Sequence, residues 1–108
     1  MIKIKDYYVP VNDSHFIEYL KRNDHYQEAQ SQASQLLKKF PKSIILYNII
    51  GATNKGLGKL DEAIGAYKKA LSIKPDYADA FNNMGNALKE KGKLDEAIEA
   101  YKKAISLQ

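Results

Sequence analysis

Apolar side chains in this 108-residue chain recur at helical intervals rather than alternating. Tyr47, Ile50, Gly51 and Asn54 share one face of a first segment, and Leu60, Ala63, Ile64, Tyr67, Ala70 and Leu71 share one face of the next. Spacings of three and four residues bring such positions together only on an α-helix. The Gly58-Lys59 step between the two segments marks a tight turn, so the helices should run antiparallel. Pro41 and Pro75 each close the second helix of a pair, because proline lacks the amide hydrogen and clashes with the preceding turn. Ser43 and Asp76 then offer side-chain oxygens as N-caps for the following helix. From about residue 13 onward the pattern predicts six helices in three antiparallel pairs.

The pattern also repeats. Gly58 to Ser72 (GKLDEAIGAYKKALS) returns as Gly92 to Ser106 (GKLDEAIEAYKKAIS), identical at 13 of 15 positions with an offset of 34. Upstream, Tyr47 pairs with Phe81, Asn48 with Asn82, Gly51 with Gly85 and Lys55 with Lys89. A third, worn copy lies a further 34 residues back, where Ala29 falls on Ala63, Glu28 on Glu62, Lys21 on Lys55 and Pro41 on Pro75. It has Asp13 in place of the aromatic and Ile17 in place of the glycine, the relaxation expected of a terminal unit. Small residues (Gly51, Gly85, Ala63, Ala97, Ala70, Ala104) allow close helix approach, and Tyr47, Phe81, Tyr67 and Tyr101 fill the gaps. In the worn unit Ala33 stands for the tyrosine and Leu36 for the following alanine, which roughly preserves local volume. The chain thus divides into an extension at 1–12 and a repeat domain at 13–108, with a degenerate unit at 10–43, a full unit at 44–77 and a truncated unit at 78–108.

An aromatic, then Gly, then after a Gly turn Ala, Tyr and Ala, then Pro, at a period of 34, resembles the tetratricopeptide-repeat (TPR) signature from about residue 10 to 108. The resemblance implies an all-α fold, an alpha solenoid of antiparallel helix pairs (a TPR superhelix). It also implies that first helices line a concave groove that binds a peptide or partner protein. On that basis the groove should present Ser14, Glu18, Lys21 and Arg22, then Asn48, Ala52 and Lys55, then Asn82, Asn86 and Lys89. Asparagine amides donate and accept together, so they can satisfy a peptide backbone of any sequence. Phe81 to Glu90 (FNNMGNALKE) resembles the arrays of protein O-GlcNAc transferases, in which a ladder of asparagines holds the peptide, and Asn83 matches a rung. Ile49 and His15 occupy the equivalent places in the other units. TPR modules that clamp the C-terminal carboxylate of heat-shock chaperones use Lys and Arg with Asn. Here Ser14, Asn48 and Asn82 stand where clamp lysines are expected, a departure that argues against that mode. Lys21, Lys55 and Lys89 fall in register; each can face a ligand or favour the negative end of its own helix, worth about 0.3–1 kcal/mol.

Composition narrows the chemistry. Hydrophobic residues at 44% and charged residues at 28% fit a chain that folds. The absence of cysteine removes disulfides, thiolate nucleophiles and cysteine-ligated metals. His15 and His25 lack ligand spacing, so the sequence points to no metal and no cofactor. Asp61-Glu62 and Asp95-Glu96 are paired carboxylates, but they open second helices, where acidic groups suit the dipole. No nucleophile and base are brought together, and the expectation is a scaffold, not an enzyme. The competing expectation is the N-terminal portion of a larger enzyme such as a glycosyltransferase or sulfotransferase. Seventeen Lys+Arg against thirteen Asp+Glu give a net charge of +4, mostly from lysines interspersed with acids, including Lys68-Lys69 and Lys102-Lys103. With Arg22 the single arginine, no nucleic acid is expected as partner. Without an apolar run of about 18 residues or a secretory leader, the expected setting is the cytoplasm and no membrane.

The last helix carries Leu94, Ile98, Tyr101 and Ile105 on a face whose counterpart one unit earlier should be covered by the next hairpin. This predicts self-association, such as a homodimer through that helix, or a longer array. The extension, with Ile2, Ile4, Tyr7, Tyr8 and Val9, is a second apolar surface.

Overall fold

A computed structural model of the chain describes the backbone of residues 2–4 and 7–9 and the whole of residues 25–108. Five helices follow one another: α1 (Tyr26–Lys39), α2 (Ile44–Gly56), α3 (Leu60–Ile73), α4 (Ala78–Glu90) and α5 (Leu94–Ser106). Helices α2 and α3 pack as one antiparallel hairpin and α4 and α5 as the next; α1 packs on α2, and α3 on α4. The second helices α1, α3 and α5 form one layer and the first helices α2 and α4 the other, with direct contact between α2 and α4. The sixth helix of the sequence reading, beginning near residue 13, lies outside the described residues.

The turns follow from local chemistry. Gly58 and Gly92 take φ of 79° and 86°, a region that side chains with a Cβ avoid. Each closes its helix in the same way: Gly58 N–H donates to Lys55 O and Lys59 N–H to Asn54 O, while Gly92 N–H donates to Lys89 O and Lys93 N–H to Leu88 O. Helix α1 stops two residues before Pro41, and α3 stops two before Pro75. Ser43 caps α2 as expected, its Oγ accepting from Leu46 N–H at 3.3 Å. Asp76 does not cap α4. The residue in phase with Ser43 is Tyr77, which precedes Ala78 without a side-chain cap and is instead buried against Ala70 and Ala80.

Small residues form the seams, as expected from the alternation of small and large. Ala33, Ala63, Ala70, Ala80 and Ala87 are fully buried. The Tyr67 ring lies over Gly51 and the Tyr101 ring over Gly85, each where a Cβ would intrude. Tyr26 makes a third such contact, over Gly56, that the repeat phase hides: it stands where Leu60 and Leu94 stand, and Gly56 stands where Glu90 stands. The worn unit thus supplies its tyrosine from the start of α1 rather than from its middle, where Ala33 sits.

The extension holds an element that sequence reasoning missed. Strand β1 (Ile2–Ile4) pairs antiparallel with β2 (Tyr7–Val9), in the register Ile2↔Val9, Lys3↔Tyr8 and Ile4↔Tyr7, and β1 contacts α1. Five of these six residues are β-branched or aromatic, the types that favour a pleated strand. The solenoid itself is all-α.

Candidate functional site

Helices α2 and α4 present the residues that the sequence assigns to the groove. A cavity of about 90 Å³ opens between them, lined by Tyr26 of α1, Ala52, Lys55 and Gly56 of α2, Tyr67 of α3, and Asn83 and Asn86 of α4. Its floor is low at Ala52, which carries only a methyl, and its walls are two tyrosine rings that reach through from the other layer, that of Tyr26 lying over Gly56. Burial of Tyr67 pushes its phenol well above the ordinary range, so this wall is neutral at any physiological pH.

The polar groups at the cavity are already ordered. Asn83 Nδ2 donates to Asn48 Oδ1 at 3.0 Å, linking α4 to α2. An amide offers two donor hydrogens and two acceptor lone pairs, so this bond leaves the Asn48 amine and the Asn83 carbonyl with capacity for a ligand. The Tyr101 hydroxyl donates to Asn86 Oδ1, which fixes the orientation of that amide. Lys55 Nζ lies 3.4 Å from Glu90 Oε2 in a partly exposed ion pair across the same two helices. Beneath them Gln30 Nε2 donates to the buried Asn54 Oδ1 at 2.7 Å, tying α1 to α2.

Of the residues assigned to the groove from sequence, Lys55, Asn83 and Asn86 line the cavity and Asn48 joins them through Asn83. Asn82 and Lys89 are exposed on α4 and do not line it. Lys21, with Ser14, Glu18 and Arg22, lies outside the described residues. Sequence reasoning missed Tyr26 as a wall and Glu90 as the partner of Lys55. Gly56 was the available signal for Tyr26, a glycine near a helix end with Glu90 at its place in the next unit.

The four residues assigned to self-association divide. Leu94, Ile98 and Ile105 are 59%, 49% and 68% exposed, whereas Ile64, the counterpart of Ile98 beneath α4, is 8% exposed. Tyr101 is half-buried, its ring on Gly85 and its hydroxyl on Asn86. Among the described residues no helix is long and apolar enough to cross a membrane.

Comparison with known proteins agrees with this architecture. The family described as TPR repeat matches residues 56–92, and that described as tetratricopeptide repeat matches residues 78–108. No curated protein matches the sequence. Among solved structures, a crystal structure of MamA is similar at 30% identity and a TM-score of 0.74, over 84% of this chain and 53% of that one; this chain therefore spans about half of its length. The second TPR domain of Spaghetti (RPAP3), bound to the HSP90 peptide SRMEEVD, superposes with a TM-score of 0.76 at 19% identity, over 87% of each chain. The first TPR domain of the same protein, bound to the same peptide, gives 0.78 at 20% identity, over 87% of this chain and 75% of that one. With helix hairpins in phase with a 34-residue period, glycine-closed turns and tyrosines seated on glycines, the chain belongs to the tetratricopeptide-repeat family.

Proposed function

We propose that the cavity between α2 and α4 holds an extended segment of a partner protein, and that the Asn48–Asn83 amide pair carries the binding. The pair supplies one donor and one acceptor side by side, the complement of a single peptide unit, whatever side chain that unit bears. Small Ala52 leaves room for a ligand group between the rings of Tyr26 and Tyr67. That two neighbours of the same fold are bound to an HSP90 peptide supports a peptide as the occupant. Asparagine at 48 and 82 favours backbone recognition over capture of a terminal carboxylate.

The test uses a fluorescent peptide selected by display against the full chain. Alanine at Asn48, Asn82, Asn83 and Asn86 together is expected to weaken it by about tenfold or more, since two bonds to a peptide unit at about 1 kcal/mol each amount to that much. Unchanged affinity removes the groove reading.

A second reading rests on the exposure of Leu94, Ile98 and Ile105: we propose that this face of α5 supports self-association. Sedimentation equilibrium should then show a dimer that Ile98→Lys shifts toward monomer. A concentration-independent monomer contradicts it.

A further inference from the structure

A second and larger depression lies on the side of α4 turned away from the asparagines. Phe81, Met84 and Leu88 follow at three- and four-residue spacing and form one apolar stripe, while Asn82, Asn83 and Asn86 occupy the opposite side of the same helix. The stripe is the floor of a groove of about 410 Å³, flanked by Lys68 of α3 and by Asp95, Glu96, Glu99 and Ala100 of α5. Three carboxylates therefore rim one wall, against one ammonium on the other.

This groove is not a feature of every unit. One unit earlier the floor positions are Tyr47, Ile50 and Asn54, and two of these are committed: the Tyr47 hydroxyl donates to Pro41 O, and Asn54 is buried under Gln30. The wall differs as well. The two 15-residue copies differ at two positions, and one of them puts Glu99 on the rim where the earlier copy has Gly65. Asp61, the counterpart of Asp95, is held by Lys91 of the following unit, which draws its carboxyl below the usual range through the hydrogen bond and the charge of that lysine; among the described residues Asp95 has no such tie. Among the described residues Glu96 and Glu99 form ion pairs with near neighbours in sequence, Lys93 before α5 at 3.6 Å and Lys102 within it at 3.8 Å, exposed pairs of the kind that contribute little and exchange readily.

We propose that this groove docks a cationic amphipathic helix of a partner protein, on a surface separate from the asparagine-lined cavity. The apolar floor calls for apolar anchors at helical spacing, and the acidic rim calls for Lys or Arg beside them. Helical form follows from the walls. No strand edge lies among the lining residues of α3, α4 and α5, and none of them carries the side-chain amide through which the asparagine cavity can pair with an extended backbone, whereas a helix satisfies its own. The net charge of +4 sharpens the preference, because a cationic helix is repelled by the chain as a whole and drawn to this one rim.

The probe is a fluorescein-labelled peptide of about five helical turns, with leucines at i, i+3, i+4 and i+7 and lysines on the flanks, compared with the same leucine pattern flanked by glutamates. Anisotropy with the full chain should show the lysine peptide binding at least about tenfold more tightly and weakening as salt rises, as expected for attraction between exposed charges. Glu99→Lys, fully on the surface, and Met84→Glu should each weaken it by about fivefold or more, Asn83→Ala should not, and amide shifts should cluster at Phe81, Met84 and Leu88. Equal binding of the two peptides, indifference to Glu99→Lys, or shifts centred on Asn83 and Asn86 overturns the proposal. A dimer of the chain that Met84→Glu dissociates also overturns it, because the occupant would then be a second copy.

Discussion

Tyr67→Ala is expected to cost about 3–5 kcal/mol and to lower the thermal midpoint by about 15–30 °C. Tyr67 is among the largest of the fully buried side chains, and its ring fills the space that Gly51 leaves open between α2 and α3. The loss combines the transfer of a large ring to water with a cavity that backbone packing on both sides prevents from closing. The same geometry predicts a change of sign at Gly51. In the parent chain Gly51→Ala drives a methyl into the Tyr67 ring, an overpacking of about 1–3 kcal/mol that outweighs the helix-propensity gain of about 1 kcal/mol. Once Tyr67 is alanine the clash is gone and only the gain remains, so Gly51→Ala should then stabilise. Urea unfolding of the four chains measures both effects. The same sign in both backgrounds would show that the ring and the glycine are not coupled.

Alkaline pH should unfold the chain through its buried phenols. Burial raises the Tyr67 phenol beyond the ordinary range, and burial followed by the charge of Asp79 pushes that of Tyr77 up to about 12. Both folded values lie above the unfolded value near 10, so above that pH the unfolded chain releases protons that the folded chain keeps. The stabilisation is therefore complete below about pH 10 and is lost as pH rises toward the folded values, by up to about 1.4 kcal/mol per pH unit for each phenol. Thermal melts between about pH 9 and 12 should show the decline, shallower in Tyr67→Phe and Tyr77→Phe, which carry no ionisable group there. Parent and variants falling in parallel would assign the transition to other groups.

Much of the fold is legible because it rests on local rules. A glycine at positive φ, a proline two residues past a helix end and a serine at a cap each act within one turn of chain, and Gly58, Gly92, Pro41, Pro75 and Ser43 all act where the sequence places them. Asp76 shows the limit of such reasoning. Its oxygen suits a cap, but the repeat phase puts Tyr77 at that place, and burial of the tyrosine ring sets the start of α4. The hairpin of Ile2–Ile4 with Tyr7–Val9 escaped for another reason: three-residue strands are too short for periodicity to speak, and each exists only through its pairing with the other.

The candidate site was half legible. Repeat phase alone puts Asn48, Lys55, Asn83 and Asn86 on first helices, since position within the period fixes the helix and its face. Nothing in the phase joins Asn83 to Asn48 or Lys55 to Glu90, partners that meet only when hairpins stack, or Tyr101 to Asn86, which meet only when α4 and α5 fold onto each other.

By itself the sequence determined the helix pairs, their turns and their period of 34, because near-identical copies obey the same short-range sterics and hydrogen bonding wherever they occur. The tertiary structure decided what differs between copies. It set Tyr26 rather than Ala33 as a wall of the cavity, turned Tyr101 inward while Ile98 stayed exposed, and opened a groove over Phe81, Met84 and Leu88 where the preceding unit commits Tyr47 and Asn54. The physical reason is that burial and pairing belong to neighbours in space, so identical sequence acquires different exposure according to what packs against it.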